Sequence, residues 1–311
     1  MLAPMSDAWV KTETELTSWV GLGQPADCFF PDRLVLVVAR AFDKKDGPRV
    51  EVAPASAPTT PGAVRSHIPY VHVSGPSPLA RGPYAVSPES RYAFWVSLRE
   101  NVGELSQFGV VGPPVSLPNQ PVAAAVSDDG FLWVSFVDGR LLTRAPDGSQ
   151  AIRADARRYA FMAGGPLGFC AGTTAGSPTP GLFVHDHGGA LRADLKMTCG
   201  HFAFSGLELV ALEANGPVWV HRLDLKQQRH QRTALARSVD VLAIDRRGRA
   251  ALTCDEQRLY LVDLETGSEQ GALFPHGKRP RLAAFDHHSG VAWVVTQDAE
   301  RRWWLARVAP A

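Results

Sequence analysis

The sequence predicts an all-β chain made of seven copies of one four-stranded antiparallel meander, and two observations carry that prediction. The first is the stretch from Val239 to Phe274. The apolar runs VLAID, AALTC and LYLVDL are separated by Arg246-Arg247-Gly248, Asp255-Glu256 and Glu265-Thr266-Gly267, and a shorter run ends at Leu273 and Phe274. Runs of this length divided by turn residues read as strands joined by tight connections. One such sheet cannot bury its two faces alone and needs copies of itself. The second observation is that the copies exist. The first turn of the unit recurs at Asp286-His287-His288-Ser289-Gly290, Ser205-Gly206, Gly164-Gly165, Ser127-Asp128-Asp129-Gly130 and Ser87-Pro88-Glu89-Ser90, and more weakly at Pro31-Asp32. The usual step is about 40 residues, a period of stacked sheet repeats. The step from Pro31 to Ser87 is longer and implies an insertion.

Each turn is preceded by a run of small or apolar residues (CFF, YAV, AAAV, YAFMA, FAF, VLAI, LAAF). Another follows it (LVLVV, YAFWV, FLWVSF, LGFCA, LELVAL, AALTC, VAWVV). Within this pattern Leu259 to Gly267, LYLVDLETG, resembles the third strand and outer turn of a WD40-like or YVTN-like β-propeller blade. The likeness extends blade by blade from about Ala26 to Val308. It implies a seven-bladed β-propeller of four-stranded antiparallel blades, in one domain over residues 1–311. The Gly-His and Trp-Asp signatures of true WD40 repeats are absent, so their Asp-His tetrad is not expected.

The remaining segments follow from that frame. Trp9 to Val20, WVKTETELTSWV, alternates with period two and reads as a strand with an outer, charged edge, a helix being its rival. It precedes the first repeat. The last repeat has LAAF, VAWVV and RWWLARV and no fourth run. The expectation is that residues 9–20 supply the missing outer strand and close the ring, which removes exposed sheet edges. In the first repeat, APASAPTTPG at residues 53–62 reads as an inserted flexible loop. RENVGELSQ at 99–107 and TTAGSPTPG at 173–181 read as long connections between second and third strands. Trp95, Trp133 and Trp293 occupy matching second-strand positions and are expected to pack between blades.

Composition limits the function classes. Apolar residues make up 45% of the 311, enough for a sizeable core, and the net charge of +1 gives no general attraction to nucleic acid or to an anionic membrane. There is no 18-residue apolar run and no signal-like start. Cys28, Cys170, Cys199 and Cys254 form no CxxC pair and read as buried thiols, which suits a cytoplasmic chain. The Ala, Arg and Pro content suits a GC-rich bacterial source.

In an antiparallel meander alternate connections lie on opposite edges of the sheet. The connections between strands two and three therefore share a face with those between successive repeats. That face collects Arg153, Arg157, Arg158, Arg237, Lys278, Arg279, Arg281, Arg301 and Arg302, with acids further out. A basic centre of this kind would take an acidic segment of another protein. Catalytic signals are missing. There is no GxSxG, no GK[ST] loop and no GxGxxG after a strand, and Cys199 near His201 has no third member. His185-Asp186-His187 reads as exposed turn histidines rather than a metal pair. The sequence thus points to a non-catalytic scaffold or assembly subunit with a protein partner, no cofactor and no metal. The alternative is a propeller hydrolase or lactonase with a divalent metal in the central channel.

Overall fold

A computed structural model describes residues 10–15, 25–29, 35–40, 50–54, 85–89, 91–97, 102–107, 110–155, 157–173, 177–197, 199, 201–214, 218–226, 229–235, 240–255, 258–273, 278–285 and 292–308. Every regular element among them is a β-strand. After β1 (Val10–Glu15), the first sheet contains β2 (Pro25–Phe29), β3 (Val35–Arg40) and β4 (Val50–Pro54). The second contains β5 (Ala85–Val86), β6 (Tyr92–Ser97), β7 (Val102–Gln107), β8 (Val110–Val111) and β9 (Val115–Ser116). The third runs β10 (Pro121–Val126), β11 (Leu132–Phe136), β12 (Arg140–Arg144) and β13 (Gln150–Ala154). The fourth runs β14 (Phe161–Gly165), β15 (Gly168–Gly172), β16 (Leu182–Asp186) and β17 (Leu191–Leu195). The fifth has β18 (His201–Ser205), β19 (Glu208–Ala214), β20 (Val218–Asp224) and β21 (Arg229–Ala234). The sixth has β22 (Asp240–Ile244), β23 (Ala250–Cys254), β24 (Arg258–Asp263) and β25 (Glu269–Leu273). The seventh has β26 (Arg279–Phe285), β27 (Ala292–Gln297) and β28 (Trp303–Val308), with β1 on its outer edge.

All pairings are antiparallel. β1 lies along β28 with Glu13 opposite Ala306 and Glu15 opposite Trp304. In the second sheet β8 and β9 both pair with β7, at its two ends, and Gly112-Pro113-Pro114 interrupt what is otherwise one outer strand. Proline lacks the N–H that a continuous ladder needs. The innermost strands touch in chain order, β10 to β14 to β18 to β22 to β26, and β26 also meets β2, so the first sheet stands beside the last.

The core fills the spaces between sheets. β10 and β11 of the third sheet are almost wholly buried, and Trp133 and Trp293 are 0% and 2% exposed at equivalent places in β11 and β27. The third to sixth sheets are apolar on both faces because each face meets a neighbouring sheet. The inner strands must approach closely, which restricts side-chain size there. A Cβ on Gly164 would stand 2.3 Å from the carbonyl oxygen of Val126 in the neighbouring sheet, and one on Gly165 would stand 2.4 Å from the Phe204 ring. A second tie is long-range. Arg247, in the β22–β23 turn, pairs with Glu89, in the β5–β6 turn, at 2.5 Å, and the Glu89 amide donates to Asp128 in the β10–β11 turn at 2.9 Å.

Two segment boundaries differ from the sequence reading. Ala53 and Pro54 are not loop residues but the end of β4, opposite Leu36 and Val35. Val102–Gln107 is not a connection but a full third strand, with Tyr92 opposite Gln107 and Ser97 opposite Val102. Its polar residues hide the pattern, although Leu105 is buried and Gly103 accommodates the Phe94 ring, whose Cε2 a Cβ would approach to 2.4 Å. Of the segment 173–181, residues 173 and 177–181 are described and carry no strand, and Thr173 Oγ1 donates to the Thr179 carbonyl and accepts from the Gly181 amide. The expected turns at 31–32 and 286–290, the rest of 53–62, and residues 9 and 16–20 lie outside the described residues.

Gly164→Val should lower the unfolding free energy by about 2–3 kcal/mol in urea titration, because the clash is with backbone that cannot turn aside. Gly267→Asn, in open space at φ 71°, should cost under about 1 kcal/mol. Equal effects at the two sites would contradict this packing account.

Candidate functional site

The face made by the β11–β12-type hairpins and by the connections between sheets carries the nine basic residues read from the sequence, apart from Arg237, which lies outside the described residues. The other eight fall into two groups. Arg153, Arg157 and Arg158 stand where the third sheet passes to the fourth. Lys278, Arg279, Arg281, Arg301 and Arg302 stand on the seventh.

At the first group the connection folds back on Asp155. Its carboxylate accepts the Arg157 amide at 3.0 Å, the Arg157 Nε–H at 2.9 Å and the Tyr159 hydroxyl at 2.8 Å. Burial would raise this carboxyl, but those donors together hold it below the usual range. The Arg157 guanidinium also lies 5.0 Å from the centre of the Phe183 ring. Arg153 and Arg158 are exposed.

Tyr159 links this loop to the interior. It is 1% exposed, and its oxygen also lies 2.9 Å from His185 Nε2. His185 is 1% exposed, stacks on Phe169 at 4.6 Å, and places Nδ1 3.1 Å from the Gly189 carbonyl oxygen. That oxygen only accepts, so Nδ1 carries the proton and one phenolic proton serves both Asp155 and His185. Burial, then the hydrogen bond to Asp155, pushes the Tyr159 phenol up, and burial pushes the His185 imidazole down. His187 stacks on Phe131 at 4.3 Å, and its carbonyl accepts Trp133 Nε1–H at 3.0 Å. The His185-Asp186-His187 pair is therefore not a pair of exposed turn histidines. Its two rings face different neighbours, and His185 is core.

At the second group Lys278 is 3% exposed and its ammonium lies 3.5 Å from the centre of the Trp304 ring. Trp304 Nε1–H donates to Asp298 at 3.0 Å. Asp298 also accepts Nε–H of Arg302 at 2.8 Å, and Arg302 meets Glu300 at 3.2 Å. Arg281 donates to Gln297 at 3.4 Å. Arg279 and Arg301 are exposed, and Arg301 sits at φ 62°, the single non-glycine residue with a left-handed backbone among those described. The equivalent hairpin position in the third sheet is Gly139 at φ 81°. The side chains that project freely are thus Arg153, Arg158, Arg279 and Arg301, while Arg157, Lys278 and Arg302 are engaged with Asp155, Trp304 and Asp298.

Sequence reading missed one polar cluster. In the fifth sheet His221, 5% exposed, lies 3.0 Å from Glu213 through Nε2 and 3.0 Å from His230 through Nδ1. Arg232 lies over Trp219 beside it, 3.8 Å from the ring centre. Burial pushes the His221 imidazole down against the pull of Glu213. Only the register, which sets His221 opposite Arg232 and Leu223 opposite His230, unites these residues.

Among the described residues no group of three or more His, Cys, Asp or Glu is arranged to hold a metal ion. Cys199 donates to the His201 carbonyl at 3.3 Å and burial pushes its thiol up to about 12, so it is no nucleophile at neutral pH. Cys170, Cys199 and Cys254 are free and buried.

No protein-family model matches the chain, and no curated protein matches it by sequence. Solved structures do. The β-propeller domain of Cps50 (Swd1) from Myceliophteria thermophila superposes with a TM-score of 0.59 at 12% identity, covering 97% of this chain and 99% of that one. The WD40 domain of Neurospora crassa Pan2 superposes with a TM-score of 0.61 at 11% identity, covering 99% and 97%. The fold is a WD40-like β-propeller, built from repeated antiparallel sheets.

Burial holds His185 and His221 neutral in the folded chain, below their ordinary value of about 6.5. The unfolded chain takes up those protons first, so the stabilisation present above about pH 6.5 is lost as pH falls from there through the folded values. Urea midpoints should decline over that range, and less steeply in His221→Gln. A flat or rising profile would contradict it.

Proposed function

We propose that this chain is a non-catalytic interaction scaffold, a subunit of a multi-protein assembly. Its seven sheets are the blades of one closed ring over a single domain, and residues 9–20 provide the strand that completes the last blade. The pairing of β1 with β28 and the contact of β2 with β26 support that closure. The partner is an acidic segment of another protein, bound on the arginine face. The free buried thiols suit a reducing, cytoplasmic setting.

Arg301 carries this reading. A non-glycine residue in the left-handed region costs about 1 kcal/mol, which a glycine would avoid. Here an arginine occupies the position and projects into solvent beside the engaged pair of Arg302 and Asp298. Arginine is the side chain that meets carboxylates in a bidentate fork. The polar groups that look catalytic, by contrast, are consumed in structural bonds within the domain.

Affinity purification of the tagged chain from its host at low salt should yield a stoichiometric protein partner and no stoichiometric metal. Arg158→Glu with Arg279→Glu should abolish capture. Arg301→Gly should stabilise the isolated chain by about 1 kcal/mol and yet weaken capture, a split that a structural arginine would not give. A lone protein carrying a stoichiometric divalent ion would overturn the scaffold reading in favour of a propeller hydrolase.

A further inference from the structure

The polar cluster of the fifth sheet has a proton arrangement that its geometry fixes. Glu213 stands on β19, His221 on β20, and His230 and Arg232 on β21, so three neighbouring strands supply it. His221 Nε2 lies 3.0 Å from a Glu213 carboxylate oxygen, and His221 Nδ1 lies 3.0 Å from His230 Nε2. The carboxylate only accepts, so Nε2 of His221 carries a hydrogen. A neutral His221 then leaves Nδ1 bare, and the hydrogen of the second bond belongs to His230 Nε2. The ring planes differ by 21° and the ring centres stand 5.2 Å apart, well beyond the separation of the nitrogens. The two rings therefore meet edge to edge along that bond.

Protons added to this row act in opposite senses. One added at His230 Nδ1 makes an imidazolium that still donates to His221, and a charge-assisted bond of this kind is the stronger one. A second proton goes to His221 Nδ1. It sets N–H against N–H, abolishes the bond, and leaves two cations in contact with Arg232 as a third. The Glu213 carboxylate is shared between His221 and Arg232, which lies 3.5 Å from it. The fourth sheet packs on this side of β20 and adds the Cys199 thiol, kept neutral by burial that pushes it up to about 12. On β17, Asp194 alternates with the packed Ala193 and Leu195 and pairs with Lys196.

The strand held by this row has little else to hold it. All six residues of β21 are exposed, so burial of its own side chains contributes little. Among the described residues its ties are the backbone ladder to β20, the His230–His221 bond, and Arg232, which reaches Glu213 and lies 3.8 Å from the centre of the Trp219 ring. The strands beneath are different in kind, since Phe202, Leu209 and Val220 are buried.

We infer that this row is an acid-operated latch on the outer strand of the fifth sheet: with one added proton or none β21 stays on β20, and with two it is released while β18 to β20 remain packed. Release exposes His221 to water and so restores its ordinary affinity for a proton. Burial in the closed state pushes His221 down, and the Glu213 charge partly offsets this. The stability of the closed state is thus fully present above about pH 6.5 and is lost as pH falls from there through the closed-state value. The latch is independent of the arginine face and of any partner bound there, and it makes the rim of the fifth sheet the part of the disc whose order follows pH.

The test is hydrogen exchange of the full chain, read by mass spectrometry and corrected for the intrinsic pH dependence of amide exchange. Protection of residues 229–234 should fall about tenfold between about pH 6.5 and about pH 5. The outer strand β13 is exposed at all five residues and has no histidine, so residues 150–154 should keep their protection and serve as the internal control. His230→Gln keeps a donor toward His221 Nδ1, takes no charge, and turns its carbonyl to a protonated His221, so protection at 229–234 should persist. Glu213→Gln still accepts from His221 but has no charge to favour the second proton, so the loss should move to lower pH. Constant protection at 229–234 in the parent chain, an equal loss at 150–154, or an equal loss in His230→Gln would overturn the latch. So would a loss in Glu213→Gln that stays in place or moves to higher pH.

Discussion

Everything in this fold depends on how closely neighbouring sheets approach along their innermost strands. A four-stranded sheet with two apolar faces gains little by itself. Between two neighbours it buries both, and β10 and β11 show the result in residues almost wholly removed from water. That gain requires small side chains and bare backbone at the centre. Ala123-Ala124-Ala125 and Gly164-Gly165 provide them, and large residues such as Trp133 and Trp293 occupy the wider spaces further out. The Glu89–Arg247 pair shows how near the turns of distant sheets come to one another.

Polar chemistry at the reversals is local. Carboxylates at the first position of the turns accept backbone amides that the strand ladders leave unpaired. Asp245 takes the amides of Arg247 and Arg249, Asp263 those of Glu265 and Thr266, and Asp298 those of Glu300 and Arg302. These acids are thereby committed to shape. So are His185, Tyr159 and Asp155, whose shared proton joins a connection to the interior. The charge that stands outside these bonds is that of the exposed Arg153, Arg158, Arg279 and Arg301, and this is why the arginine face reads as a surface for a partner.

What could be read in the sequence was what repeats locally. The period of about 40 residues, the turn glycines at 130, 206 and 248, and the matched tryptophans all follow from patterns within one blade or from their recurrence. VGELSQ escaped because its inward residues are a glycine and a leucine, so no apolar run marks β7. His185 was misjudged because its partners, Tyr159 and Phe169, come from other strands and the HDH motif shows only a turn. Lys278 sits in a charged run yet is buried on Trp304, 26 residues onward. The Glu213–His221–His230 cluster exists only through strand register. Long-range juxtaposition, rather than element type, is what a single sequence leaves out.

The central claim is that the sheets form one ring that brings the inner turns of the second and sixth together. The most direct measurement is intramolecular cross-linking of Glu89→Cys with Arg247→Cys, in a Cys28→Ser chain whose remaining cysteines are buried. A short thiol-to-thiol reagent followed by peptide mass spectrometry should join residues 89 and 247 within the monomer in native buffer and not in urea. If both thiols react with a monofunctional reagent while no 89–247 link forms in the folded chain, the sheets are not arranged as a ring of this size.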